Sequence, residues 1–149
     1  MINEIEKRFI EVFSSIHPTK QDVATYGECY TPEYIDEMLN LTTITPETKI
    51  LDLCCGIGNF TIRILRRLSD TYPHFDVNAF LTHYHTFNEI RPERIEQIRY
   101  IYGETARIIT EPAQSIKNLY EYFDIDMRTQ EYITNYLPDY YNIRCKSNE

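Results

Sequence analysis

Apolar residues at steps of three and four open the chain: Ile2, Ile5, Phe9, Val12, Phe13 and Ile16, with Glu and Lys between them. This spacing predicts an amphipathic helix that stops at His17, because Pro18 disfavours helical geometry in the residue before it. A polar stretch follows, and Thr31-Pro32 then reads as a helix start, with Ile35, Met38 and Leu39 as the apolar face. The pattern changes at residues 49–55 (KILDLCC), where a short apolar run without alternation fits a strand buried on both faces of a parallel sheet. Gly56-Ile57-Gly58 breaks that run. Beyond it Phe60, Ile64, Leu65 and Leu68 share one helical face, while Arg63, Arg66 and Arg67 lie on the other and read as solvated.

From Asp70 to Asn118 no direct return to a second strand is legible. A loop with Pro73, His74, His83 and His85 precedes a helix from Pro92, whose apolar positions are Ile95, Ile98, Ile101 and Tyr102. Further helical spacing around Ala106–Ile116 is interrupted by Pro112. The aromatic run Leu119–Asp126 then predicts the second strand, and Met127–Leu137 a helix. The expected organisation is one α/β domain: an N-terminal helical segment (1–48), a glycine loop and helix (49–68), a helical insertion (70–118), and a second strand and helix (119–137).

Composition narrows the function. Fifteen Lys and Arg stand against 23 Asp and Glu, a net charge of −8, so the chain alone is a poor match for a nucleic-acid backbone. No uninterrupted apolar run approaches the roughly 20 residues of a membrane span, and the N-terminus does not read as a secretory signal. The four cysteines, Cys29, Cys54, Cys55 and Cys145, lack zinc-ligand spacing and are expected reduced, as in a cytoplasmic protein. His83-x-His85 lacks the helical spacing of a metal pair and is read as loop, so no metal is expected.

The sharpest local signal is the turn between strand and helix. In an open parallel sheet, small molecules bind beyond the carboxyl ends of strands, where glycine lets backbone approach a ligand. The spacing Gly56-x-Gly58 is neither the dinucleotide fingerprint nor a phosphate-cradling loop. Asp52 at the strand end would repel phosphate but suits a cationic ligand such as S-adenosylmethionine, which carries an amino group and a sulfonium. Asp124, at the end of the expected second strand, is placed to accept from a ribose diol. Asp126 is read as a helix N-cap.

These pieces together carry a family resemblance. Tyr26-Gly27-Glu28-Cys29-Tyr30-Thr31-Pro32, then Ile50-Leu51-Asp52 with Cys55-Gly56-Ile57-Gly58-Asn59-Phe60, then Asn118-Leu119-Tyr120 and Phe123-Asp124-Ile125-Asp126, resemble the N-terminal part of the adenine-N6 DNA methyltransferases of restriction–modification systems. The resemblance implies a class I S-adenosylmethionine-dependent methyltransferase (Rossmann-like) fold in partial form, with S-adenosylmethionine as cofactor. It places Tyr30, Thr31, Pro32, Asp52, Gly56, Gly58 and Phe60 around the methionine end and Asp124 on the ribose. That family's [DNS]-P-P-[YFW] motif, which holds a flipped adenine, does not occur in this sequence, so no catalytic residue is assigned. Leu53 stands where that family has Pro. The string L-D-L-x-C-G-x-G-N-F, matched by residues 51–60, is instead usual in RNA 5-methyluridine methyltransferases. Three readings stay open: the cofactor-binding portion of a DNA adenine-N6 methyltransferase, a non-catalytic cofactor-binding or interaction subunit, and a methyltransferase acting on RNA or a small molecule. DNA would be reached only through a complementary chain or domain, and an incomplete parallel sheet predicts a homo- or hetero-oligomer.

Overall fold

Three short parallel strands hold the centre of the fold. A computed structural model describes residues 1–17, 19–21 and 35–112. In chain order the elements are α1 (Ile2–Ser15), α2 (Ile35–Asn40), β1 (Ile50–Asp52), α3 (Asn59–Thr71), α4 (Val77–His83), β2 (His85–Asn88), α5 (Pro92–Tyr102) and β3 (Ile108–Ile109). The sheet order is β1-β2-β3. The register pairs Ile50 with His85, Leu51 with Thr86 and Asp52 with Phe87, then Phe87 with Ile108 and Asn88 with Ile109. Parallel strands need crossover connections, and α3 with α4 supplies the first while α5 supplies the second.

The helices form where the apolar spacing puts them. In α1 the buried side chains are Ile5, Phe9 and Val12, one stripe that packs against α3 and α5. In α3 they are Thr61, Ile62, Ile64, Leu65 and Leu68. Full burial of an aliphatic side chain contributes roughly 1.5–3 kcal/mol, so this face does most to seat α3. Pro92 opens α5 at its first turn, and Gly103 closes it at φ +100°.

Several expectations change. The strand at residues 49–55 is shorter than the apolar run: β1 ends at Asp52, its three residues are half-buried, and residues 53–58 belong to the turn. The expected helical insertion at 70–118 instead carries β2 and β3 as well as α4. Ile108–Ile109 is strand where helical spacing around Ala106 suggested otherwise. His85, read as a loop histidine, is wholly buried as the first residue of β2. The α3 arginines are not merely solvated. Arg63 donates to Asp36 at 2.7 Å, Arg67 to Asn40 at 2.8 Å, and Arg66 to Glu6 and Asn3, tying α3 to α2 and α1. Such half-exposed pairs contribute about 1 kcal/mol at most, so they orient these helices more than they hold them. The expected strand and helix at 119–137, and the helix start at Thr31-Pro32, lie outside the described residues. Among the described residues no helix is long and apolar enough to cross a membrane.

Candidate functional site

At the carboxyl ends of β1 and β2 the chain forms a turn latched to its neighbouring strand. Three successive amides on the turn donate to the tip of β2. Cys54 N–H reaches the Asn88 side-chain Oδ1 at 3.4 Å, Cys55 N–H the Asn88 backbone carbonyl at 3.0 Å, and Gly56 N–H the Glu89 Oε2 at 2.9 Å. The Asn88 amide also donates to the carbonyls of Ile109 at 3.0 Å and Glu111 at 2.8 Å, so one buried side chain joins the turn to the end of β3. Glu89 Oε1 accepts from the Ile90 and Arg91 amides at 2.8 and 2.9 Å. Its carboxylate is thus fixed by backbone on both sides.

The two glycines differ in what they make room for. Both have left-handed φ, +59° at Gly56 and +80° at Gly58, a region that only glycine enters freely. A Cβ on Gly56 would meet no heavy atom of the described residues within 4 Å, so among them open space lies over the backbone beside Glu89. A Cβ on Gly58 would lie 2.6 Å from the Tyr102 Oη and 3.1 Å from Phe87 Cε1. Gly58 admits the protein's own aromatic rings, a different purpose from the ligand approach expected of it. Tyr102, buried at the end of α5, donates toward the carbonyls of Ile57 and Gly58 at 3.1 and 2.8 Å and supports the turn from beneath. Cys54 holds φ +52° without being glycine, a conformation that costs a non-glycine residue about 1–2 kcal/mol and is sustained here by the latch to Asn88.

Asp52, at the tip of β1, accepts from the Thr61 hydroxyl at 2.7 Å and also from the Thr61 backbone amide, in the first turn of α3. Burial pushes its carboxyl up to about 6, and the bonds from Thr61 oppose that rise. Burial likewise raises the Cys54 and Cys55 thiols, with the Glu89 and Asp52 carboxylates adding to it, so neither is an activated nucleophile.

Of the residues expected at the site, Asp52, Gly56 and Gly58 come together, and Phe60 lies half-buried on the first turn of α3, packed against the core. Tyr30, Thr31, Pro32 and Asp124 lie outside the described residues. The acid at the end of the strand beside β1 is Glu89. Sequence reasoning passed over it because His85–Asn88 does not look like a strand. One signal for it was present: Asn88-Glu89 stands just before the helix start at Pro92, as an acid at a strand tip would.

A cleft of about 420 Å³ lies elsewhere, bounded by Pro46, Tyr72, Phe75, Phe80 and Tyr84. It borders the residues that lead into β1 and β2, the opposite end of the strands from the turn, whereas open parallel sheets bind ligands at the carboxyl ends. Among the described residues no cluster of His, Cys, Asp or Glu fits a metal ion.

No family model matches the chain, and no solved structure matches it. Over 36 residues, 24% of this chain, it is 44% identical to the 23S rRNA (uracil(1939)-C(5))-methyltransferase RlmD of Alkalilimnicola ehrlichii. That stretch spans only 8% of the relative's length. The short likeness is therefore to a methyltransferase, and to one that acts on RNA.

Proposed function

We propose that this chain carries the S-adenosylmethionine site of a methyltransferase. The observation that carries the reading is the latched turn: open space over Gly56 beside the Glu89 carboxylate, with Asp52 at the tip of the neighbouring strand, at the carboxyl ends of parallel strands. The site fits a cationic nucleoside. Asp52 suits the cofactor's amino group, and Glu89 suits the ribose hydroxyls, the role first expected of Asp124. Three of the roughly four lone-pair positions on Glu89 already accept backbone amides. One ribose hydroxyl can use the remaining position, and a second would have to replace the Gly56 amide. Leu53 and Ile90, exposed immediately after each acid, offer apolar surface to an adenine ring. When bound, the cofactor supplies an electrophilic methyl group. This chain's residues hold and orient it, and positioning of that kind lowers the barrier without further chemistry from the protein.

The acceptor we infer is RNA. Residues 51–60 match the RNA-methyltransferase string position by position, and the short likeness is to an rRNA enzyme. The DNA adenine-N6 reading rests on Tyr30–Pro32 and Asn118–Asp126, outside the described residues, and on a family whose catalytic motif this sequence lacks. With a net charge of −8, either nucleic acid would be engaged through a complementary basic chain or domain. Among the described residues β1 pairs along one edge only, with β2, so the pure chain is expected to associate. Light scattering that finds only monomer at micromolar concentration contradicts that expectation.

Calorimetric titration of the chain with S-adenosylmethionine and S-adenosylhomocysteine tests the cofactor site. Both are expected to bind at one site, and Glu89→Ala to weaken them by about ten- to a hundredfold, the loss of a charged hydrogen-bond acceptor. Transfer of a labelled methyl group to uridine-containing RNA and not to DNA supports the acceptor. A folded Glu89→Ala variant that binds as the wild type does would remove the reading.

A further inference from the structure

Behind Asp52 a line of hydrogen bonds runs into the core. The Thr61 hydroxyl lies 2.7 Å from Asp52 Oδ2 and 2.9 Å from His85 Nε2. A hydroxyl has one proton to give. With that proton on the Asp52 carboxylate, Thr61 Oγ1 must accept, and the imidazole must carry its hydrogen on Nε2. Nδ1 is then a bare lone pair, and it is buried without a hydrogen-bond partner among the described residues. Its ring sits among Phe87 and Phe80, with centroids 4.4 and 6.1 Å away. A doubly protonated ring would set a charge and an orphan N–H among those aromatics, so the chain has one stable direction, from imidazole to hydroxyl to carboxylate.

We propose that Thr61 and His85 are positioning residues for the cationic end of the cofactor, holding Asp52 as an oriented, ionised carboxylate. This rests on the S-adenosylmethionine reading above. An ammonium is attracted only to the ionised form of the acid, and the surroundings of Asp52 oppose that form. Burial disfavours it, while Cys54, Cys55, His85 and Tyr102, the titratable groups close by among the described residues, are all held neutral. The donated hydroxyl is what restores it. The neutral histidine fixes the hydroxyl's direction without adding a charge of its own.

The test uses the full chain and reads Asp52 directly, through the pH titration of its side-chain carboxyl carbon by nuclear magnetic resonance. The wild-type midpoint is expected near 6. Thr61→Val, which keeps the shape but loses the hydroxyl, is expected to raise it by about one pH unit, and Thr61→Ser to restore it. S-adenosylmethionine affinity of Thr61→Val should then fall about fivefold at pH 6 and recover by about pH 8, a pH dependence that general loss of packing would not produce. In the wild type, the imidazole nitrogens are expected to show hydrogen on Nε2, a measurement that does not depend on any variant folding. Hydrogen on Nδ1, or an unmoved Asp52 midpoint in a Thr61→Val chain that binds the cofactor, overturns the positioning role alone. Failure of the wild type to bind S-adenosylmethionine overturns the cofactor reading, and the positioning role with it.

Discussion

Gly58→Ala is expected to cost about 4 kcal/mol of stability, a large share of the roughly 5–15 kcal/mol that holds a typical domain folded. Three effects add. A side chain at φ +80° meets the left-handed penalty of about 1–2 kcal/mol. The new Cβ would sit 2.6 Å from the Tyr102 Oη and 3.1 Å from Phe87, and overpacking of that kind costs about 1–3 kcal/mol. If the Tyr102 ring moves aside to relieve that contact, the buried Ile57 carbonyl loses the hydroxyl donor and the Gly58 carbonyl keeps only the Ile62 amide, at a similar cost. Gly56→Ala is the contrasting case: its φ of +59° carries strain, but no heavy atom of the described residues lies within 4 Å of the added carbon. That variant should unfold only about 1–2 kcal/mol more easily, yet lose cofactor affinity, because its methyl group fills the open space beside Glu89. Thermal unfolding of both variants with a cofactor titration of Gly56→Ala decides the matter. A Gly58→Ala chain as stable as wild type refutes the close packing, and undiminished binding by Gly56→Ala refutes ligand approach over that glycine.

Below pH 4, protonation of His85 should become a main route to acid unfolding. Burial lowers its imidazole from 6.5 to about 3, so the folded state keeps it neutral where the unfolded chain takes up a proton. A base depressed in the fold contributes no pH dependence above 6.5, and stability is lost as pH falls from there toward 3, in total on the order of 5 kcal/mol. Asp52 works in the opposite sense. Its carboxyl, raised from 3.8 to about 6, favours the fold most below 3.8 and less as pH rises through 6. Between about pH 6 and 4 the two nearly offset each other, and below that only His85 still changes. His85→Gln, which keeps a side-chain N–H donor but cannot titrate, should therefore lose less stability than wild type between pH 5 and pH 3.5. Urea unfolding at several pH values measures the difference, and parallel wild-type and His85→Gln curves down to pH 3.5 would contradict it.

What could be read from the sequence follows from how local each cause is. Helices α1 and α3 announce themselves because their buried faces repeat at 3.6 residues, and the turn at 56–58 because few residues but glycine tolerate its φ. Strand β2 is hidden for the opposite reason. His85-Thr86-Phe87-Asn88 is four residues long with three polar side chains, and it is buried only because β1 and β3 pair along its edges while α4 and Tyr102 of α5 pack on it. Its polar side chains then become structural: His85 meets Thr61, and Asn88 ties the turn to the end of β3. With that strand missed, Glu89 at its tip was passed over, and Asp124, the acid expected from the sequence, lies outside the described residues. The partners of Arg63, Arg66 and Arg67 were illegible too, since they lie on α1 and α2, up to 63 residues away in sequence. Asp52 and Gly56 needed no such distant knowledge, because strand end and turn are adjacent in the chain.

The space over Gly56, beside Glu89 at the strand tips, is proposed to take S-adenosylmethionine. A titration of the isotopically labelled chain with that molecule, following every backbone amide by nuclear magnetic resonance, tests it most directly. Saturable shifts concentrated at Asp52–Gly58 and Asn88–Arg91, with the aromatic cleft around Phe75 and Tyr84 silent, are the result expected. Shifts confined to that cleft, or none at all from a folded chain, would contradict it.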